Sequence, residues 1–147
     1  MDSIRIFGYK SFKKLSVQLH PINLLIGANG AGKSNFLSLF EMLGNIYEKR
    51  LGAYVAQVGG VDKLLYQGRK VTDRIAVNLL IAKSEYDLAL LEADGKLIVE
   101  REVVRCYDDV CPLDLVRKNV ITEFQSESSL KDHKEEDLSN YISQIRK

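Results

Sequence analysis

The first third of the chain alternates apolar and polar residues and then changes to a helical period. Alternation around Ile4 and Ile6, and again over 15–19, predicts two strands. The apolar run 23–26 ends at Gly27 and predicts a third strand, buried on both faces. From Lys33 onward we expect an amphipathic helix of about four turns with its apolar face on the sheet. Its apolar positions are Phe36, Leu37, Leu39, Phe40, Met42, Leu43, Ile46 and Tyr47.

The middle of the chain predicts an antiparallel meander. Periodicity is poor over 51–68, where a Gly59-Gly60 pair indicates a loop before a short turn at 61–66. Residues 75–81 then alternate as a half-buried strand, and two further runs, 86–92 and 96–104, flank Asp94-Gly95. Asp-Gly favours the positive φ angles of tight hairpin turns. We therefore expect a hairpin there.

The pattern changes again after Pro112. A helix is predicted around 113–124 and an amphipathic helix over 138–145. The polar stretch between them indicates a solvated loop or a frayed helix. The organisation expected is a single domain over 1–147. It comprises strands, a loop and the first helix in 1–50, a β-lobe in 70–105 and a helical segment in 112–147.

Composition limits the classes of protein to which the chain can belong. With 147 residues, 46% apolar and 28% charged, the chain can build one globular core. A net charge of +1 gives no overall electrostatic sign of nucleic-acid or membrane binding. No stretch approaches the ~18 apolar residues of a membrane span, so we expect a cytoplasmic protein with no membrane partner. Cys106 and Cys111 match no zinc spacing with the two histidines, and ordinary thiols are expected.

One sequence motif indicates a ligand-binding site. Residues 27–34, the phosphate loop below, fit G-x-x-x-x-G-K-[ST] between a predicted strand and a predicted helix, as a nucleotide-binding loop requires. Glycines let backbone N–H groups converge on phosphates, and the helix start adds unpaired donors. Lys33 is expected to reach the β- and γ-phosphates, and the Ser34 hydroxyl to bind Mg²⁺. ATP and Mg²⁺ are thus the expected ligands, and the loop comprises Gly27, Ala28, Asn29, Gly30, Ala31, Gly32, Lys33 and Ser34.

The residues around this loop add a family resemblance. Gly8-Tyr9-Lys10-Ser11-Phe12, an alternating strand, and a loop that continues into Asn35 resemble the N-terminal half of SMC/RecF/OLD-like ABC-type ATPases. The resemblance covers residues 3–44 closely. It implies an α/β P-loop NTPase head with an antiparallel β-meander. It also implies that Lys10, Ser11 and Asn35 line the nucleotide. Without the resemblance, the residue type and position of Lys10 favour a solvated lysine of a strand or loop.

Parts of that family's site are missing from the sequence. Its members use an Asp-Glu pair after an apolar strand, and here Glu92 and Glu100 each stand alone beside the predicted hairpin. No signature segment follows, and Gln57 and Gln67 match the family's glutamine loop only by residue type. We therefore expect an incomplete head that relies on a C-terminal half or a second head, and we assign no catalytic residue.

Two functions remain open. The first is the ATP-binding segment of an SMC/RecF-like ATPase acting in DNA repair, recombination or defence, with DNA as a partner by family analogy only. The second is a non-catalytic module that binds nucleotide or a partner without hydrolysis. A compact kinase or GTPase is a more distant third, since no acceptor site or N-K-x-D segment is found.

Overall fold

A six-stranded antiparallel sheet is the main element of the computed structural model, which describes residues 1–82, 84–106 and 122–128. The strand order is β2-β1-β3-β4-β5-β6. The strands are β1 (Ser3–Tyr9), β2 (Phe12–Gln18), β3 (Arg74–Ile81), β4 (Ser84–Ala93), β5 (Lys96–Cys106) and β6 (Thr122–Gln125). The helices are α1 (Lys33–Tyr47) and α2 (Leu51–Gln57), followed by a 3-10 turn at Val61–Lys63.

Two tight turns set the register of the sheet. Tyr9 lies opposite Phe12 across the β1–β2 turn, and Ala93 lies opposite Lys96 across the β4–β5 turn. In the second turn Asp94 and Gly95 have φ angles of +51° and +78°, the left-handed values that an Asp-Gly hairpin favours. The predicted strands of the meander and their hairpin are therefore confirmed.

The core lies between one face of the sheet and α1 with α2. Alternate residues of β1, β3 and β4 point into it, and α1 covers them with the stripe Phe36, Leu39, Met42, Leu43 and Ile46. The predicted helix and its contact with the sheet are thus confirmed. The stripe is narrower than predicted, because Leu37 lies about 100° around the helix from Phe36 and is 60% exposed.

The third predicted strand is wrong. Residues 23–26 form no strand, and Ile22, Leu24 and Ile26 are 90%, 81% and 83% exposed. A strand exists only beside a hydrogen-bonded neighbour, and within the described ranges none pairs with this run. Every pairing in the described sheet is antiparallel, so the parallel part of the expected α/β head is not seen there.

Two further elements differ from the prediction. Helix α2 lies in the stretch 51–68, where poor periodicity left the structure unassigned, and it buries Leu51, Tyr54 and Val55. Strand β6 occupies 122–125, so the end of the helix predicted over 113–124 is a strand that pairs with β5. Three other predictions lie outside the described residues. They are the rest of that helix, the helix over 138–145 and the ordinary thiol of Cys111. Across the described ranges, no helix has the length and apolar character to cross a membrane.

Candidate nucleotide site

The phosphate loop turns sharply at two glycines before it enters α1. Gly30 and Gly32 have φ angles of +83° and +93°, and Gly32 is the N-cap of the helix. A Cβ at Gly32 would lie 3.1 Å from Cε1 of Phe12 and 3.2 Å from Oγ of Ser11. The loop therefore approaches the β1–β2 turn so closely that Gly32 has both a backbone and a packing reason to be glycine.

Lys33 folds back over the loop. Its Nζ donates hydrogen bonds to the carbonyl oxygens of Gly27 at 2.6 Å and Ala28 at 2.7 Å. The amine therefore lies over the loop backbone, where the sequence motif places a bound phosphate. The two contacts hold the amine in position over the loop.

The start of α1 offers further donors. Helix geometry leaves the first backbone N–H groups of α1 without intrahelical acceptors, and Gly32 provides no side-chain cap. The first turn carries no acidic residue, so nothing there offsets the positive end of the helix dipole. Ser34 is exposed in this turn, and its hydroxyl has no partner among the described residues. These features fit a phosphate–Mg²⁺ group.

Two polar contacts tie the β1–β2 turn to the same helix. Nδ2 of Asn35 donates to Oγ of Ser11 at 2.9 Å, and Nζ of Lys10 donates to Oγ of Ser38 at 2.8 Å. Lys10 adopts a φ of +46°, a strained value for a residue with a side chain. Burial lowers the pKa of Lys10 below its ordinary value. The three residues that the resemblance places at the nucleotide thus lie together beside the loop.

A groove continues from these residues. It has a volume of about 830 Å³ and runs between the β1–β2 turn and the segment 62–70. Its polar and charged lining residues are Lys10, Ser11, Asn35, Asp62, Lys63, Gln67, Arg69 and Lys70. Of the two glutamines considered from sequence, Gln67 lines the groove, whereas Gln57 ends α2 and is exposed.

Four residues that line the groove were not predicted from the sequence: Asp62, Lys63, Arg69 and Lys70. Their only sequence signal is a set of charges around Gly68 in a segment without periodicity. They reach the site because the segment pairs with the end of β1, where Tyr9 bridges to Leu65. That contact joins residues far apart in sequence.

The two carboxylates considered for catalysis lie in the hairpin, as predicted. Oε1 of Glu92 accepts the backbone N–H of Gly95 at 2.8 Å, and Glu100 pairs with Arg74 at 3.1 Å. Both residues belong to the antiparallel β4–β5 pair. Among the described residues, no group of three or more His, Cys, Asp or Glu side chains could hold a metal ion.

Comparison with known families finds a match over almost the whole chain. The family model described as "AAA ATPase domain" matches residues 1–146. Comparison with curated proteins finds no significant match. The family match covers the phosphate loop, the groove and the whole described sheet.

Proposed function

Since the chain belongs to the AAA ATPase domain family and is a nucleotide-binding, ATPase-like segment, we propose that its phosphate loop binds ATP together with Mg²⁺. The observation that carries this proposal is the position of Lys33. Its amine is held at 2.6 Å and 2.7 Å from two loop carbonyls, directly beside the uncapped start of α1. A triphosphate placed there meets a cation and backbone donors together.

Four residues of the loop have separate parts in this proposal. Gly30 and Gly32 let the backbone turn so that its N–H groups face the phosphates. Lys33 contacts the β- and γ-phosphates, and the free hydroxyl of Ser34 binds Mg²⁺. The metal neutralises phosphate charge when it is bound. Lys10, Ser11 and Asn35 line the nucleotide on the side of the β1–β2 turn.

Calorimetric titration with Mg·ATP tests the proposal. We expect saturable binding to the wild-type chain and at least a tenfold weaker affinity in Lys33→Ala, because a charge-assisted contact is lost. Lys13→Ala is the matched control, since Lys13 is an exposed lysine of β2 outside the phosphate loop. Equal affinities in Lys33→Ala and in the wild type would reject the proposal.

We further propose that the chain works as part of an SMC/RecF/OLD-like ATPase in DNA repair, recombination or defence. The sequence resemblance over 3–44 supports this, and so does the exposed apolar run 22–26, which a partner strand would bury. The partner in this proposal is a second head or another polypeptide segment of the same ATPase. A salt-dependent affinity for DNA would support the DNA role, and no affinity in the ATP-bound protein with its partner would oppose it.

The second candidate is nucleotide binding without hydrolysis. The hairpin position of Glu92 and Glu100 favours it, because each carboxylate already has a partner there. Phosphate release measured on the calorimetry samples separates the two functions. Release that rises with the square of protein concentration and is lost in Lys33→Ala supports a self-associating ATPase. Tight binding without release supports the module.

A further inference from the structure

The groove adjoins the C-terminal end of the phosphate loop, at Asn35. Asn35 immediately follows Ser34, and its side chain contacts Ser11. Both Asn35 and Ser11 line the groove, whose volume of about 830 Å³ is within the range of small-molecule sites. A nucleoside attached to phosphates at the start of α1 therefore has a space to enter on this side.

The far wall of the groove is held by backbone hydrogen bonds. The N–H of Tyr66 donates to the carbonyl of Gly8 at 2.9 Å, and the N–H of Lys10 donates to the carbonyl of Leu64 at 2.7 Å. Segment 62–70 is thereby attached to the end of β1. Its backbone consequently keeps a defined position relative to the β1–β2 turn.

Arg69 is fixed within this wall. Oδ1 of Asp62 accepts the backbone N–H of Arg69 at 2.9 Å, and Oδ2 lies 3.3 Å from Nε of the same residue. Gly68 has a φ of +76°, and a Cβ there would lie 3.1 Å from Oδ1 of Asp62. Asp62 thus pairs with the planar guanidinium of Arg69, whose Nη1 lies 3.7 Å from the position that a Cβ on Gly95 would take and whose side chain remains about half exposed.

We propose that the groove holds the ribose and base of the nucleotide, with the guanidinium of Arg69 as the surface on which the base stacks. The inference rests on the proposed function, since it requires the phosphates at the phosphate loop. Among the described residues, Leu65 is the one apolar side chain of the lining, and no aromatic residue lines the groove. A planar guanidinium stacks on aromatic rings, so Arg69 supplies the flat surface that the lining otherwise lacks.

Two probes separate this contact from phosphate binding. Mg·tripolyphosphate engages only the phosphate loop, whereas Mg·ATP also places a nucleoside in the groove. We expect Arg69→Ala to weaken ATP binding by about tenfold, the loss typical of one base-stacking contact, and to leave tripolyphosphate binding unchanged. Arg69→Lys keeps the charge but removes the plane, and we expect it to lose most of the same affinity. Lys14→Ala, an exposed lysine of β2 outside the groove, is the control.

The results of these titrations test the role of Arg69, the groove and the proposed function separately. Unchanged ATP affinity in Arg69→Ala, or an equal loss for both probes, would overturn the role of Arg69. Wild-type protein that binds tripolyphosphate as tightly as ATP would overturn the groove as a nucleoside site and leave the proposed function standing. If wild-type protein binds neither probe, the proposed function fails and the inference fails with it.

Discussion

Tyr9 and Ser38, 29 positions apart in sequence, share a hydrogen bond of 2.9 Å between the phenol oxygen and Oγ. The Ser38 hydroxyl donates its own proton to the carbonyl of Asn35 at 3.0 Å, so it accepts from Tyr9 and from Lys10. One hydroxyl therefore joins the end of β1, the β1–β2 turn and the second turn of α1. This contact fixes the helix that carries the phosphate loop against the sheet.

Ser38→Ala tests the importance of this contact for stability. Removing Oγ takes the Ser38 hydrogen bond from the buried Tyr9 hydroxyl, a loss of about 1–3 kcal/mol in the free energy of unfolding. Denaturant unfolding measures the change. Ser34→Ala is the control, because its exposed hydroxyl has no described partner and the expected change is within about 0.5 kcal/mol. Equal changes in the two variants would contradict the account.

Buried tyrosines predict a loss of stability in alkali. Burial raises the pKa of Tyr9 above its ordinary value of 10.0, and burial together with Glu102 raises that of Tyr86. Above pH 10 the unfolded chain loses these protons while the folded protein keeps them. The free energy of unfolding therefore falls as pH rises, by up to about 1.4 kcal/mol per pH unit for each tyrosine.

Urea unfolding at about pH 8 and at about pH 10.5 measures this dependence. Tyr9→Phe has no phenolic proton to lose, so its stability should change less between the two pH values than that of the wild type. A wild-type stability that is constant or rises over this interval would show that the assignment is wrong.

Alanine substitutions at two glycines of the phosphate loop distinguish the cost of backbone strain from the cost of a packing clash. Gly30 and Gly32 both have positive φ angles, and alanine at either costs about 1 kcal/mol for the left-handed backbone. Only at Gly32 would the added Cβ meet Phe12 and Ser11, while Gly30 has open space. We expect Gly32→Ala to lose about 1–2 kcal/mol more than Gly30→Ala in denaturant unfolding. A larger loss at Gly30 would refute the close approach.

The exposed run 22–26 should promote association more than it supports the fold. Leu24 and Ile26 are 81% and 83% exposed, so replacing both by serine should change the free energy of unfolding by less than about 0.5 kcal/mol. The same change should reduce concentration-dependent association in light scattering, because unpaired apolar segments self-associate. Leu39→Ser in the core is the contrasting variant and should destabilise strongly. A large loss of stability in the double variant would show that the run is packed in solution.

Local sequence patterns predicted the elements that are determined by residues close together in the sequence. Two-residue alternation predicted β1, β2 and β3, the two runs that flank Asp94-Gly95 predicted β4, β5 and their hairpin, and helical spacing predicted α1. The strand predicted at 23–26 failed because an apolar run becomes a strand only beside a partner strand. Helix α2 was missed because seven residues that include Gly52 carry little local signal. It is stabilised instead by burial and by Glu127, whose carboxylate accepts the N–H of Leu51 at 3.0 Å.

The residues of the candidate site also fall into two groups: those that a local motif predicts and those that depend on contacts between distant parts of the sequence. Lys33 and Ser34 were predicted because one motif specifies the whole loop within eight consecutive residues. Arg69 and Asp62 could not be predicted, since they join the groove through the pairing of segment 62–70 with β1. No periodicity in the sequence records that contact.

Backbone amide shifts in a nitrogen–proton correlation spectrum test the central claim most directly. Mg·ATP is titrated into the isotope-labelled 147-residue chain, and the shift of each amide is followed. We expect the largest shifts on Gly30, Gly32, Lys33, Ser34 and Asn35, and we expect Lys33→Ala to remove them. Saturable shifts confined to the β4–β5 hairpin, with the loop amides unchanged, would contradict the claim.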